Sequence, residues 1–191
     1  WTGVDYIGEP TPWHNQNDTP VKSSYFGIVD TAGIPKNDYY LYQSQWLDGN
    51  QHPMVHILPH WNWEIHKSYQ QVVDKYGDIP VRVYSNAGSV ELFLNGKSQG
   101  RKTFQEKWTS DGRKYQEGQG SDQLYLEWRL AYQPGELHAV AYDYQGQLVA
   151  EDRVVTAGKP AKIGLHAEKT KLEPDGQDLL YLYFDVLDKD G

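Results

Sequence analysis

Cysteine is absent from this chain, which excludes disulfide staples and thiolate metal sites. Methionine is nearly absent too; Met54 is the single one, so no initiator stands at the head of the sequence. No apolar run approaches the roughly 20 residues that a membrane-spanning helix requires, and no basic-then-apolar signal segment opens the chain. Positive charge is scarce: 18 Lys and Arg stand against 26 Asp and Glu, for a net charge of −8 and a pI near 5.3. That balance argues against nucleic acid, whose phosphates demand a basic surface. Aromatic residues, by contrast, make up 14% of the 191 residues, led by 15 Tyr and 7 Trp. They serve either as strand formers and core fillers or as flat platforms for the apolar faces of sugars.

Three regions follow one another. Residues 1–50 read as strand, long polar loop and helix. Trp1 to Ile7 has strand composition, and Gly8-Glu9-Pro10 stops it. Thr11 to Ser24 is a loop rich in Pro, Asn and Asp, and Tyr25 to Val29 is a short apolar run. Pro35-Lys36-Asn37-Asp38 reads as a helix start capped by Asn37 or Asp38. Tyr39, Tyr42, Gln43 and Trp46 then share one helical face, and Asp48-Gly49 ends the helix. Residues 51–158 read as all β, with strands expected over Met54–Leu58, Val81–Ser85, Val90–Leu94, Lys97–Lys102, Leu124–Leu130, Glu136–Tyr144 and Gln147–Val155. Asn95-Gly96 is the strongest of the hairpin signals. Gly112 to Gln123 reads as an exposed loop, and Ser68 to Lys75 as a short helix. This spacing of short strands and turns suggests a sandwich of the immunoglobulin-like type. Residues 159–191, after the hinge-like Ala157-Gly158-Lys159-Pro160-Ala161, carry two strands, Lys162–Ala167 and Leu179–Leu187. Two strands cannot be stable alone. The abrupt opening strand, and the closing turn Asp188-Lys189-Asp190-Gly191 with no second arm, both read as cuts in a longer protein.

Short motifs dissolve on inspection. Asp30-Thr31-Ala32-Gly33 spells a GTPase switch and Gly96-Lys97-Ser98 the tail of a phosphate loop. Yet the Gly that such a loop needs is Glu91, and the order is reversed. His52, His56, His60 and His66 cluster in sequence, but Pro53 and Pro59 break a helix there. On a strand, His56 and His60 lie roughly 13 Å apart, too far to share a metal. Asp5 and Glu9 are also roughly 13 Å apart on an extended strand, whereas a retaining glycosidase holds its carboxyls about 5–5.5 Å apart. They form no complete catalytic pair; they read first as hydrogen-bonding structural acids, and one of the two could instead touch a ligand. Trp1 and Trp13 flank the same strand end. In a barrel, that end faces the active site, where an indole makes either a pocket floor or rim packing.

The ordered stretches resemble glycoside hydrolase family 2, in particular its bacterial β-galactosidase branch. Trp1 to Pro12 is similar to the last barrel strand, Lys22 to Gly33 to the loop after it, and Tyr39 to Trp46 to the last barrel helix. His56-Ile57-Leu58-Pro59-His60-Trp61-Asn62-Trp63 is similar to the barrel exit. Val90 to Ser98 with Pro134 to Tyr142 is similar to the following sandwich. The resemblance implies a mainly β fold. Residues 1–50 would be the last strand, loop and helix of a (β/α)8 TIM barrel, 51–158 an immunoglobulin-like β-sandwich, and 159–191 the first hairpin of a further β-sandwich. It implies a retaining mechanism with two Glu residues. One belongs to an Asn-Glu pair, which this sequence lacks; the other lies on the strand before Trp1. The resemblance carries over Trp1 as a wall of the galactose subsite.

The expected function is therefore the C-terminal portion of a retaining β-glycosidase, a β-galactosidase first, with β-glucuronidase or β-mannosidase as the alternatives within the family. A non-catalytic carbohydrate-binding or interaction module is the alternative outside it. Substrate-binding candidates are Trp1, Asp5, Glu9 and Trp13. No catalytic residue, metal ligand or cofactor is expected in this stretch. The expected partners are a β-galactoside and further copies of the protein, without nucleic acid or membrane. A bacterial periplasmic or extracellular location is expected.

Overall fold

The computed structural model describes residues 2–7, 25–65 and 69–191. It is mainly β, as the sequence leads one to expect. β1 (Thr2–Val4) and β2 (Gly27–Val29) pair in parallel, with Thr2 opposite Gly27 and Val4 opposite Val29. A parallel pair needs a crossover connection rather than a hairpin. The chain then enters α1 (Asn37–Trp46). Lys36, not Asn37 or Asp38, occupies its N-cap, and no side chain caps the helix. The Lys36 ammonium, a donor that cannot cap N–H groups, pairs with Asp5. Asp38 lies in the first turn, where its charge favours the helix dipole.

Eight further strands build two facing sheets. β3 (Val55–Leu58), β4 (Ile79–Ser85) and β8 (Leu126–Leu130) form one sheet, in the order β3-β4-β8. A 3-10 turn at Trp63–Ile65 and the helix α2 (Tyr69–Tyr76) lie between β3 and β4. β5 (Ser89–Leu94), β6 (Lys97–Trp108), β7 (Lys114–Gly118), β9 (Glu136–Tyr142) and β10 (Leu148–Val155) form the other, in the order β10-β9-β5-β6-β7. Successive strand side chains alternate between faces, so Ile79, Val81 and Val83 point into the sandwich from β4. Val90, Leu92 and Leu94 do so from β5, and Leu137, Ala139 and Ala141 from β9. Trp128 on β8 and Trp61 after β3 complete the same cluster. Trp61 is fully buried, and its indole N–H donates to Gln133 O at 2.9 Å.

The turn between β5 and β6 is the Asn95-Gly96 pair, with φ of 51° and 76°. Both values match the turn whose twist suits a two-residue hairpin. Asn95 does more than turn. Its side-chain oxygen accepts from Glu136 N at 2.9 Å, and its amide donates to Pro134 O at 3.1 Å. That ties the β5–β6 turn to the start of β9.

The stretch Gly112 to Gln123, expected to be loop, contains a strand. β7 pairs with the second half of β6, from Phe104 opposite Gly118 to Trp108 opposite Lys114. Its Lys-Tyr-Gln-Glu-Gly sequence carries no apolar alternation, because it is a half-exposed edge strand whose pairing is set by the backbone ladder. β6 consequently runs beyond the expected return arm at Lys102, to Trp108.

β11 (Lys162–Ala167) and β12 (Leu182–Leu187) form a separate antiparallel hairpin. Gly158 N donates to Asp188 Oδ2 at 2.6 Å where the chain leaves the sandwich. Ile163, Leu165, Phe184 and Val186 are all exposed on this hairpin.

Candidate functional site

Of the four substrate-binding candidates, Trp1, Glu9 and Trp13 lie outside the described residues, as does His66 of the histidine cluster. Asp5 is described, and it sits just past the carboxyl end of β1, the end at which parallel α/β architectures place their ligands. Its own N–H donates to Val29 O at 2.8 Å. Its carboxylate is buried: Oδ1 accepts from Gly27 N at 2.7 Å, and Oδ2 pairs with Lys36 Nζ at 2.6 Å. The hydrogen bond from Lys36 is the largest influence holding the Asp5 carboxyl below the usual carboxylate range, outweighing desolvation, with Gly27 N adding to it. Gly27 is required here by close approach: a Cβ on it would stand 2.3 Å from Asp5 N. Asp5 thus cross-braces the parallel pair to the chain entering α1.

His56 and His60 do not converge on a metal. The His56 ring stacks on Tyr40 of α1 with centroids 3.7 Å apart, and its Nδ1 lies 3.7 Å from Asp152 Oδ2. Burial pushes the His56 pKa down, and the Asp152 charge opposes that shift. His60 Nδ1 accepts from Asn62 N at 3.1 Å. Among the described residues no group of three His, Asp or Glu is placed to hold a metal ion.

The same helix docks on the sandwich through polar contacts. The Gln45 amide makes a two-way pair with the backbone of β7: Gln116 N donates to Gln45 Oε1 at 3.1 Å, and Gln45 Nε2 donates to Gln116 O at 3.2 Å. A side-chain amide here imitates the next strand and satisfies a sheet edge. Asn86 is the second anchor. Its Oδ1 accepts from Met54 N at 2.8 Å, and its amide donates to His52 O at 3.0 Å and Leu47 O at 3.2 Å. Gly49 passes so close that a Cβ would stand 2.4 Å from Asn86 O. Between α1 and the sandwich lies a groove of about 500 Å³, lined by Trp46, Asp48, Glu106, Lys114, Asp143 and Tyr144 among others. Lys114 holds Glu106 at 2.8 Å, and the Asp143 Oδ1 is occupied by Gln145 N and Gln147 N. These carboxylates order turns and strands. Sequence reasoning singled out Asp5 but none of its partners, and neither Gln45 nor Asn86. Asn86-Ala87-Gly88 carries an ordinary turn composition, and nothing local marks Gln45.

Residues 77–150 match the family described as "Domain of unknown function (DUF4982)". The whole chain is 42% identical to the β-galactosidase BoGH2A of Bacteroides ovatus, over 191 residues that make up 19% of that protein. It is 35% identical to a putative β-glucuronidase of Formosa agariphila, again over 191 residues, 16% of that protein. Among solved structures, a glycosyl hydrolase family 2 member from Bacteroides cellulosilyticus superposes on the full chain with a TM-score of 0.72 at 28% identity, 25% of that chain being covered. The chain's homologues are members of glycoside hydrolase family 2. The chain spans less than a fifth of the length of the two curated relatives, at 19% and 16%. Its sheets match the corresponding part of the family 2 fold. The Asp5–Gly27–Lys36 brace holds the βα unit together, and Gln45, Asn86 and the Tyr40–His56 stack fix it to the sandwich.

Proposed function

We propose that this chain works as part of a retaining β-glycosidase that releases terminal β-D-galactosides. Residues 1–50 close the catalytic barrel, residues 51–158 buttress it, and residues 159–191 begin a further β-sandwich. The two catalytic Glu belong to other parts of the protein. The observation that carries this reading is the 42% identity to a β-galactosidase across all 191 residues. The geometry supports it: the buried acid at the carboxyl end of β1 is consumed by a brace, and the docked helix is held by polar contacts. Precise catalysis needs such support behind the reacting groups. Substrate contact at the strand end would come from Trp1 and its neighbours. A periplasmic or extracellular setting fits a protein that meets oligosaccharides outside the cell.

The second reading is a β-glucuronidase, favoured by the 35% identity to a putative β-glucuronidase over the same 191 residues. Two nitrophenyl substrates, the β-D-galactoside and the β-D-glucuronide, decide between them when offered to the longer protein containing this sequence. Release from the galactoside with retention at the anomeric carbon is expected, and preference for the glucuronide would install the second reading. The isolated 191-residue chain is expected to release nothing. Turnover that persists through repurification would overturn the placement of the catalytic pair elsewhere.

A further inference from the structure

A second cleft, of about 680 Å³, opens between the two sheets where β6 faces β8. Arg82, Arg101, Lys102 and Arg129 line it, and Glu127 is its one carboxylate among the described residues. Its four cations face Glu127 and the Glu91 carboxylate that pairs with Arg101 at 3.6 Å, an excess of positive charge in a chain whose net charge is −8. A cleft with an excess of one sign of charge concentrates ligands of the opposite sign.

The topology explains why these residues meet. β7 pairs only with the second half of β6, and β8 is the outer strand of its sheet. The first half of β6 therefore faces β8 across a gap that two side chains span. Lys102 Nζ donates to Glu127 O at 2.6 Å, and Trp128 Nε1 donates to Gly100 O at 3.2 Å. The guanidinium groups are held in place before any ligand arrives. Arg82 Nε donates to Glu127 Oε2 at 3.1 Å and its guanidinium lies 4.8 Å from the Tyr125 ring centroid. Arg129 reaches Glu127 Oε1 at 3.0 Å, and Arg101 lies 3.6 Å from the Tyr142 ring centroid. An Arg carries five N–H donors in a planar fork that matches a carboxylate. Fixing that fork in advance removes much of the entropy cost of binding. The facing wall is polar, with Gln119, Ser121 and Gln123 on the segment after β7; Gln123 Nε2 donates to Asp122 Oδ1 at 2.7 Å, and Gln119 Oε1 accepts from Thr103 Oγ1.

We propose that this cleft binds a carboxylate-bearing saccharide, the arginines taking the carboxylate and the Gln119–Gln123 wall meeting ring hydroxyls. The volume suits a small ligand of a few rings. A peptide adding itself as a strand would need an open backbone edge, and here Lys102 and Trp128 already bridge that gap. The proposal does not rest on the glycosidase reading, because it concerns binding and its test reads binding alone.

Calorimetric titration of the full chain with trigalacturonate at low salt is expected to show saturable binding. Arg101→Gln and Arg129→Gln, made separately, are each expected to weaken it on the order of tenfold. Arg153→Gln removes the same charge from β10, outside the cleft, and is expected to leave affinity unchanged. In the unmodified chain, the side-chain amide resonances of Gln119 and Gln123 are expected to shift with ligand, which keeps the test independent of either variant's folding. Absence of saturation up to about 10 mM overturns the proposal. Equal binding of neutral galactotriose, equal binding of a hexaglutamate peptide, or equal loss in Arg153→Gln does the same.

Discussion

Phe104 of the sandwich and Phe184 of the last hairpin are the same side chain in opposite circumstances: one is 5% exposed and the other 69%. The contrast extends to the regions around them. Between its sheets, the sandwich buries aliphatic side chains from β3, β4, β5, β8 and β9 in one cluster. The β11–β12 hairpin leaves Ile163, Leu165, Phe184 and Val186 open, and α1 buries only Ser44 while Trp46 stands 74% exposed. Hydrophobic burial drives folding in proportion to the apolar area removed from water. Within the described residues, that drive is spent in the sandwich. The flanking elements are held to it by hydrogen bonds: Gln45 and Asn86 on one side, Gly158 and Asp188 on the other. Such bonds give direction and little net free energy, about 1 kcal/mol each.

The comparison breaks most readily at Trp61. Trp61→Ala is expected to cost about 3–5 kcal/mol, read as a lowered midpoint in urea, whereas Phe184→Ala stays within about 0.5 kcal/mol. Equal losses would mean that the hairpin shares the core's burial. Next comes Gly135, whose φ is +136° and where a Cβ would stand 1.8 Å from Asn95 Oδ1. Gly135→Ala is expected to cost about 2–3 kcal/mol and to free the amide of Glu136 for hydrogen exchange. Asn86→Ala strands three backbone groups, and a loss of about 1–3 kcal/mol is expected. Its sharper readout is local, with amide exchange rising at Met54 while the centre of β5 stays protected.

A smaller effect is expected from acid. The Asp5 pKa is depressed in the fold, so its brace contributes stability above the unfolded value of about 3.9. That contribution is lost as pH falls through the lower folded value. The Gly27 amide resonance is expected to move in that acid window and to stay still in Asp5→Asn. A Gly27 shift that tracks pH in the variant as well would remove Asp5 from the account. Smallest is Gln45→Ala, about 0.5–1.5 kcal/mol, seen as faster exchange at Gln116 without a change in the core.

Legibility in the sequence follows the same divide. β5 and β9 announce themselves because alternate residues had to be apolar for a two-sheet core, and Asn95-Gly96 because few other pairs tolerate two successive positive φ angles. β7 was illegible: an edge strand of polar residues carries no periodic mark. The helical face formed by Tyr39, Tyr42, Gln43 and Trp46 is regular, yet Ser44 is the residue buried, because the docking of α1 runs through Gln45 and Tyr40. At the candidate site, the acid was visible and its brace was not. Gly27 lies 22 residues on from Asp5, and no local pattern encodes a contact across a parallel crossover.

By itself the sequence determined the mainly β character, the sandwich core and its hairpin turn, and the acidic balance. Those follow from side-chain period, backbone sterics and charge, all of them properties of neighbouring residues. Only the tertiary structure decided that Asp5 is a strut, that an edge strand runs through a polar stretch, and that four cations of an acidic chain line one cleft. Each of these joins residues far apart in the chain, and their meeting is set by how sheets stack and strands cross.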